Sequence, residues 1–76
     1  MSLLPIAEIT LKEGLSAEKK DKTINDIKNI RGVFSANASP THKNIVYSTV
    51  ASDTAVLKNI RKVKGVKKAQ YSPHIL

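Results

Sequence analysis

Apolar and polar residues alternate along four stretches of the chain, and this alternation predicts four β-strands. In the first stretch Ala7, Ile9 and Leu11 fall on one side and polar residues lie between them, which is the two-residue period of a half-buried strand. In the second stretch Phe34, Ala36 and Ala38 alternate with the polar Ser35 and Asn37, and Phe34 and Ala36 are predicted to belong to the core. The four predicted strands cover residues 6–12, 33–39, 45–51 and 66–72.

Two further stretches carry apolar residues at every third position, and this spacing predicts two amphipathic helices over residues 17–31 and 54–64. Ser16 precedes the first helix and Ser52-Asp53 precedes the second; their side-chain oxygens can accept hydrogen bonds from the free backbone N–H groups of a helix start. Gly32 and Gly65 follow the two helices and are predicted to end them.

The two halves of the chain repeat each other, and in this internal repeat Gly32-Val33 of the first half corresponds to Gly65-Val66 of the second. An interleaved repeat of a strand, a helix and a strand predicts a ferredoxin-like α+β fold. This βαββαβ fold is a four-stranded antiparallel sheet in the order 4-1-3-2, with both helices on one face. A single domain over residues 1–76 is predicted. Its core is predicted to contain Ala7, Ile9, Leu11, Ile24, Ile27, Ile30, Phe34, Ala36, Leu57, Ile60, Val63 and Ala69.

The formal net charge of +7 is distributed unevenly along the 76 residues. Residues 1–26 carry four lysines against five carboxylates, whereas residues 27–76 carry nine cations against Asp53 alone. Such a charge favours anionic partners. No apolar run is nearly as long as a membrane span, which needs about 20 residues. The start of the chain has no secretory signal, so a cytoplasmic protein is expected.

The sequence offers no recognisable catalytic constellation. It has no cysteine, and its two histidines, His42 and His74, have no acidic residue near them in sequence and no metal-ligand spacing. Its three glycines are isolated, so no glycine-rich phosphate loop is present. We therefore expect a non-enzymatic protein without a metal or a cofactor.

A lysine-rich segment near the carboxyl terminus leads to one hypothesis of function, the electrostatic binding of nucleic acid. RNA-recognition domains of this fold stack bases on aromatic side chains of the central strands, and only Tyr47 is available for that here. Binding would therefore rest on phosphate contacts and weaken steeply with salt. The residues that would make these contacts are Lys58, Arg61, Lys62, Lys64, Lys67 and Lys68. The alternative is that these cations only form a solvated face.

The Gly-Val pairs that follow the two helices, with Ala36 and Ala69 three residues beyond them, resemble heavy-metal-associated domains. That family binds its metal through two cysteines in the loop after the first strand. Here the loop over residues 12–18 has no cysteine, so the resemblance implies the fold without the metal.

Two other segments, residues 10–18 and 57–69, are similar to the propeptide-like inhibitors of subtilisin-type proteases. In that family the open sheet face docks on the protease and the carboxyl-terminal tail lies in the substrate cleft as a product would. The resemblance implies that the partner-binding residues here are Pro73, His74, Ile75 and Leu76. The function expected is thus a small binding or regulatory module, such as an inhibitor of this kind; the alternatives are nucleic-acid binding and binding to a protein partner of unknown identity.

Overall fold

Four antiparallel strands and two helices make up the protein in its computed structural model, which describes residues 4–72. The strands are β1 (Ile6–Leu11), β2 (Asn37–Ala38), β3 (Ile45–Thr49) and β4 (Val66–Tyr71), and the helices are α1 (Ala17–Lys28) and α2 (Thr54–Arg61). The sheet order is β2-β3-β1-β4, which is the predicted order read from the other edge. The predicted βαββαβ, ferredoxin-like α+β architecture is therefore confirmed.

Both helices begin at the predicted residues and end earlier than predicted. The Ser16 hydroxyl accepts a hydrogen bond from the Lys19 N–H at 3.2 Å, and the Asp53 carboxylate accepts one from the Ala55 N–H at 2.9 Å. At the carboxyl-terminal ends the hydrogen bonds span three residues rather than four. The Ile30 N–H donates to the Ile27 carbonyl, and the Val63 N–H donates to the Ile60 carbonyl. These tight turns end each helix three residues before the predicted end.

The core lies between the helices and one face of the sheet. On β1 the alternation predicted from the sequence is observed, because Ala7, Ile9 and Leu11 are buried and the residues between them are only partly so. Of the predicted core residues, Ile24, Ile30 and Val63 are only partly buried and pack against the core. Buried residues that the helix stripes and strand patterns did not include are Val46, Val50, Val56 and Val66.

The second strand differs most from its prediction. Regular pairing with β3 is confined to Asn37–Ala38, and Val33 forms a single isolated bridge to Val50. Three residues separate Val33 from Asn37, whereas two separate Val50 from Tyr47, so the second strand contains a β-bulge. The bulge breaks the alternation on which the predicted strand rested.

The prediction that Phe34 belongs to the core is wrong for the same reason. Its side chain is 62% exposed, whereas its neighbour Val33 packs against the core. The extra residue in the bulge moves Phe34 to the other side of the sheet, and Ala36 alone keeps its predicted buried place.

Candidate binding face

The side of the sheet that faces away from the helices is called the open face here. Strand register defines which side chains share it, because directly paired residues in an antiparallel sheet point to the same side. Three rows cross this face: Phe34, Thr49 and Ile6; then Asn37, Tyr47, Glu8 and Gln70; then Ile45, Thr10 and Lys68.

Phe34 occupies one corner of the open face, where the bulge holds it. Its N–H donates to the Thr49 carbonyl at 2.8 Å, and the Thr49 N–H in turn donates to the Ser35 hydroxyl at 3.2 Å. A serine side chain thus supplies the acceptor that regular pairing would have taken from the backbone. The consequence is an exposed phenyl ring on a segment that two hydrogen bonds attach to β3.

The open face has few charged side chains, although the net charge of the protein is +7. In its described rows the charged residues are Glu8 and Lys68, at the centre and at one corner. Tyr47, which is 37% exposed, lies directly between Asn37 and Glu8. A surface with aromatic groups and few charges has the composition typical of the centre of a protein–protein interface.

The predicted tail residues Pro73, His74, Ile75 and Leu76 lie outside the described residues. The last described residue is Ser72, whose N–H donates to the Ile6 carbonyl at 2.7 Å. This hydrogen bond fixes the last described residue beside β1, in the row of the open face that also holds Thr49 and Phe34.

The six cations of the nucleic-acid hypothesis do not all lie on one side of the sheet. Lys68 is opposite Thr10 on the open face, whereas Lys58 and Lys62 belong to α2 and its carboxyl-terminal cap on the helix side of the sheet. Lys67 is the extra residue of a second bulge, because Thr10 pairs with Lys68 and Leu11 pairs with Val66. Lys64 lies in the turn that leads into β4.

Arg61 has a structural contact of its own. Its Nε and Nη2 atoms both donate to the carbonyl oxygen of Ala69, at 3.0 and 2.8 Å. Ala69 lies on β4, an edge strand of the sheet, and pairs with Ile9. The guanidinium group therefore satisfies a backbone acceptor at a sheet edge, and its charge discourages pairing with another chain there.

The remaining candidate groups are the two histidines. His42 is exposed in the connection between β2 and β3, and its Nδ1 atom lies 2.9 Å from the Thr41 hydroxyl. His74 is outside the described residues. Among residues 4–72 no three side chains of His, Asp or Glu form a group that could hold a metal ion. Neither helix within this range is long and apolar enough to cross a membrane.

A comparison of the chain with protein-family models, with curated proteins and with solved structures gave no match.

Sequence reasoning missed Phe34 as a surface residue, although the internal repeat contained the signal. In that repeat Phe34 corresponds to Lys67, which is the extra residue of the bulge in β4 and is exposed. A lysine in one copy indicates an exposed position in both copies. The exposure of Phe34 could have been predicted from this pair, whereas the bulge itself depends on pairing with β3.

Proposed function

We propose that this protein is a non-enzymatic binding module that docks its open face on a protein partner, and that the partner is a subtilisin-type protease which it inhibits. The observation that carries the docking is the exposed Phe34 ring on a face with few charges. The choice of a protease rests on the resemblance of residues 10–18 and 57–69 to propeptide-like inhibitors. The encounter is proposed to occur in the cytoplasm.

Burial of aromatic side chains would supply much of the binding free energy. A phenylalanine or tyrosine can bury about 150–250 Å² on contact, and such residues are common among those that dominate interface energetics. Phe34 and Tyr47 lie in adjacent rows of the open face. Ile6 and Ile45 add aliphatic surface around them, and the threonines can form the polar rim.

The tail would supply the inhibition itself. Pro73 follows Ser72 directly; it lacks the N–H donor that a helix requires, so an extended course is favoured. An extended segment can pair with a strand at the edge of a protease cleft, with alternate side chains entering pockets. Leu76 would then fill the main specificity pocket. The folded domain would fix the direction of the tail and so lower the ordering entropy lost on binding.

The test measures inhibition of a panel of subtilisin-type proteases by three proteins: the full chain, a chain without His74, Ile75 and Leu76, and the variant Phe34→Ser/Tyr47→Thr. We expect the full chain to inhibit at least one protease. Both altered proteins should inhibit about tenfold less or worse, because each loses one of two linked contacts.

The matched control is Lys58→Ser, which changes an exposed residue on the helix side of the sheet and should inhibit as the full chain does. Equal inhibition with and without the tail would refute the proposal that the tail inhibits the protease. If no protease in the panel is inhibited, the protease partner is wrong. A salt titration with duplex and single-stranded DNA tests the nucleic-acid alternative, which predicts binding at low salt by the cations on α2 and β4.

A further inference from the structure

A cavity of about 270 Å³ lies on the helix side of the molecule, where α1 passes the turn between α2 and β4. It is called the lysine pocket here. The charged side chains that line it are Lys12, Lys19, Lys22, Lys64 and Asp26. These residues come from the end of β1, from one face of α1 and from the turn before β4, so the pocket exists only in the folded protein. A larger depression of about 550 Å³ is lined by residues of α1 alone and cannot enclose a ligand.

Hydrogen bonds in the floor of the pocket hold the backbone at three of the lysines. The Thr23 hydroxyl, which is almost fully buried, lies 2.8 Å from the Lys19 carbonyl oxygen and 3.2 Å from the Lys64 carbonyl oxygen. The Lys12 N–H donates to the carbonyl oxygen of Gly65 at 2.8 Å. The backbone at Lys12, Lys19 and Lys64 is thus held by hydrogen bonds, and the same three residues line one cavity.

The charges in the pocket do not balance. Lys22 and Asp26 form an ion pair of 3.1 Å, the one salt bridge within the described range. Lys12, Lys19 and Lys64 remain without an acidic partner there. Cations that line one cavity without counter-charges repel each other, so this arrangement gives the free protein no stability.

The internal repeat shows that the fold does not require two of the lysines that line the pocket, Lys12 and Lys22. The Ala51 N–H donates to the Gly32 carbonyl oxygen, just as the Lys12 N–H donates to the Gly65 carbonyl oxygen. Ala51 therefore holds the position in the other half that is equivalent to Lys12. In the same repeat Lys22 corresponds to Ala55. The same backbone is therefore built in the other half with an alanine at both positions.

We propose that the lysine pocket binds a small polyanion that carries a chain of phosphate groups. Lysine ammonium groups suit such a ligand because they act as mobile point charges toward phosphate oxygens. The volume of the pocket is close to the lower end, about 300 Å³, of the range that holds small molecules. The ligand is therefore a small anion rather than a long strand of nucleic acid. This site lies on the opposite side of the sheet from the open face and does not depend on the proposed protease.

The test is calorimetric titration of the full chain with sodium tripolyphosphate and, separately, with ATP, at a fixed ionic strength. We expect saturable binding of one anion per chain. Equal affinity for the two probes identifies the phosphate chain as the group recognised, and tighter binding of ATP identifies a nucleotide. The variant Lys19→Gln/Lys64→Gln should bind about tenfold more weakly or worse, since it loses two charge-assisted contacts.

Two matched controls separate a site from a general positive field. Lys58→Gln/Lys62→Gln removes the same charge from exposed positions outside the pocket and should bind as the unaltered chain does. Asp26→Asn should bind more tightly because it removes the negative charge in the lining, whereas Asp21→Asn, on α1 but outside the lining, should change little. Equal weakening in both lysine variants, or no binding of either probe, would overturn the proposal.

Discussion

At the scale of single residues, two glycines allow the two halves of the protein to pack closely. Gly32 and Gly65 have φ angles of +95° and +101°, a left-handed conformation that L side chains rarely adopt. A Cβ atom on Gly32 would lie 2.6 Å from Val56, and one on Gly65 would lie 2.6 Å from Thr23. Val56 and Thr23 themselves correspond to each other in the internal repeat. The glycine of each half therefore packs against the helix of the other half, Gly32 against α2 and Gly65 against α1.

Alanine in place of either glycine should destabilise the protein through two separate effects. The left-handed backbone costs about 1–2 kcal/mol for a residue with a side chain, and overpacking adds about 1–3 kcal/mol. Val56 and Thr23 are short, branched and buried, so neither can move aside cheaply. We expect Gly32→Ala and Gly65→Ala to lower the free energy of unfolding, measured in urea, by about 2–5 kcal/mol.

Gly14→Ala is the matched control for this prediction. Gly14 also has a positive φ, of 80°, but nothing lies within 4 Å of the place its Cβ would take. Gly14→Ala should therefore lower the free energy of unfolding only by the cost of the left-handed backbone, about 1–2 kcal/mol. Equal losses in all three variants would mean that the close contacts with Val56 and Thr23 do not matter.

At the scale of elements, the sequence predicts regular structure well and irregular structure poorly. The alternation in β1 and the caps at Ser16 and Asp53 depend on local patterns, and the structure reproduces them. The bulge at Phe34 depends on pairing with a strand distant in sequence, which a local pattern does not encode. The lysine pocket is harder still to predict, because it joins three elements that meet only in the folded protein.

The free edge of β4 supports a prediction at this scale. Arg61 donates two hydrogen bonds to the Ala69 carbonyl oxygen, and an alanine in its place would leave this acceptor to solvent or to another chain. We expect Arg61→Ala to lower the free energy of unfolding by about 1 kcal/mol, a modest value because Arg61 is exposed. It should also increase self-association, as measured by analytical ultracentrifugation.

Lys62→Ala serves as the control, since it removes one positive charge next to Arg61 from an exposed residue with no bond to the β4 edge. If both variants associate to the same extent, the loss of charge explains the effect and the hydrogen bonds to Ala69 do not. If neither associates, the edge is protected by something other than Arg61.

At the scale of the whole molecule, charge and apolar surface lie on different sides. The open face has few charges, whereas the helix side has the lysine pocket and the exposed cations of both helices. A net charge of +7 on a small domain opposes the compact state through self-repulsion. This distribution suits a protein that uses one side for apolar contact and the other for anions.

Salt should therefore stabilise the protein. Raising NaCl from about 0.01 M to about 0.15 M shortens the Debye length from about 30 Å to about 8 Å and screens the repulsion between the cations. Within the described range one ion pair, Lys22–Asp26, would be weakened by the same screening, and exposed pairs of this kind contribute less than about 1 kcal/mol. The melting temperature, followed by circular dichroism, should rise over this interval.

The origin of that rise can be checked with a variant of lower charge. Lys58→Gln/Lys62→Gln/Lys67→Gln removes three exposed cations and leaves the lysine pocket intact. Its melting temperature at low salt should exceed that of the unaltered chain, and its dependence on NaCl should be smaller, because less repulsion remains to be screened. Tripolyphosphate should still raise its melting temperature at constant ionic strength, since a ligand that binds only the folded state stabilises it by mass action. A melting temperature that falls with NaCl in both proteins would mean that attractive ion pairs, rather than repulsion, dominate the electrostatics of this fold.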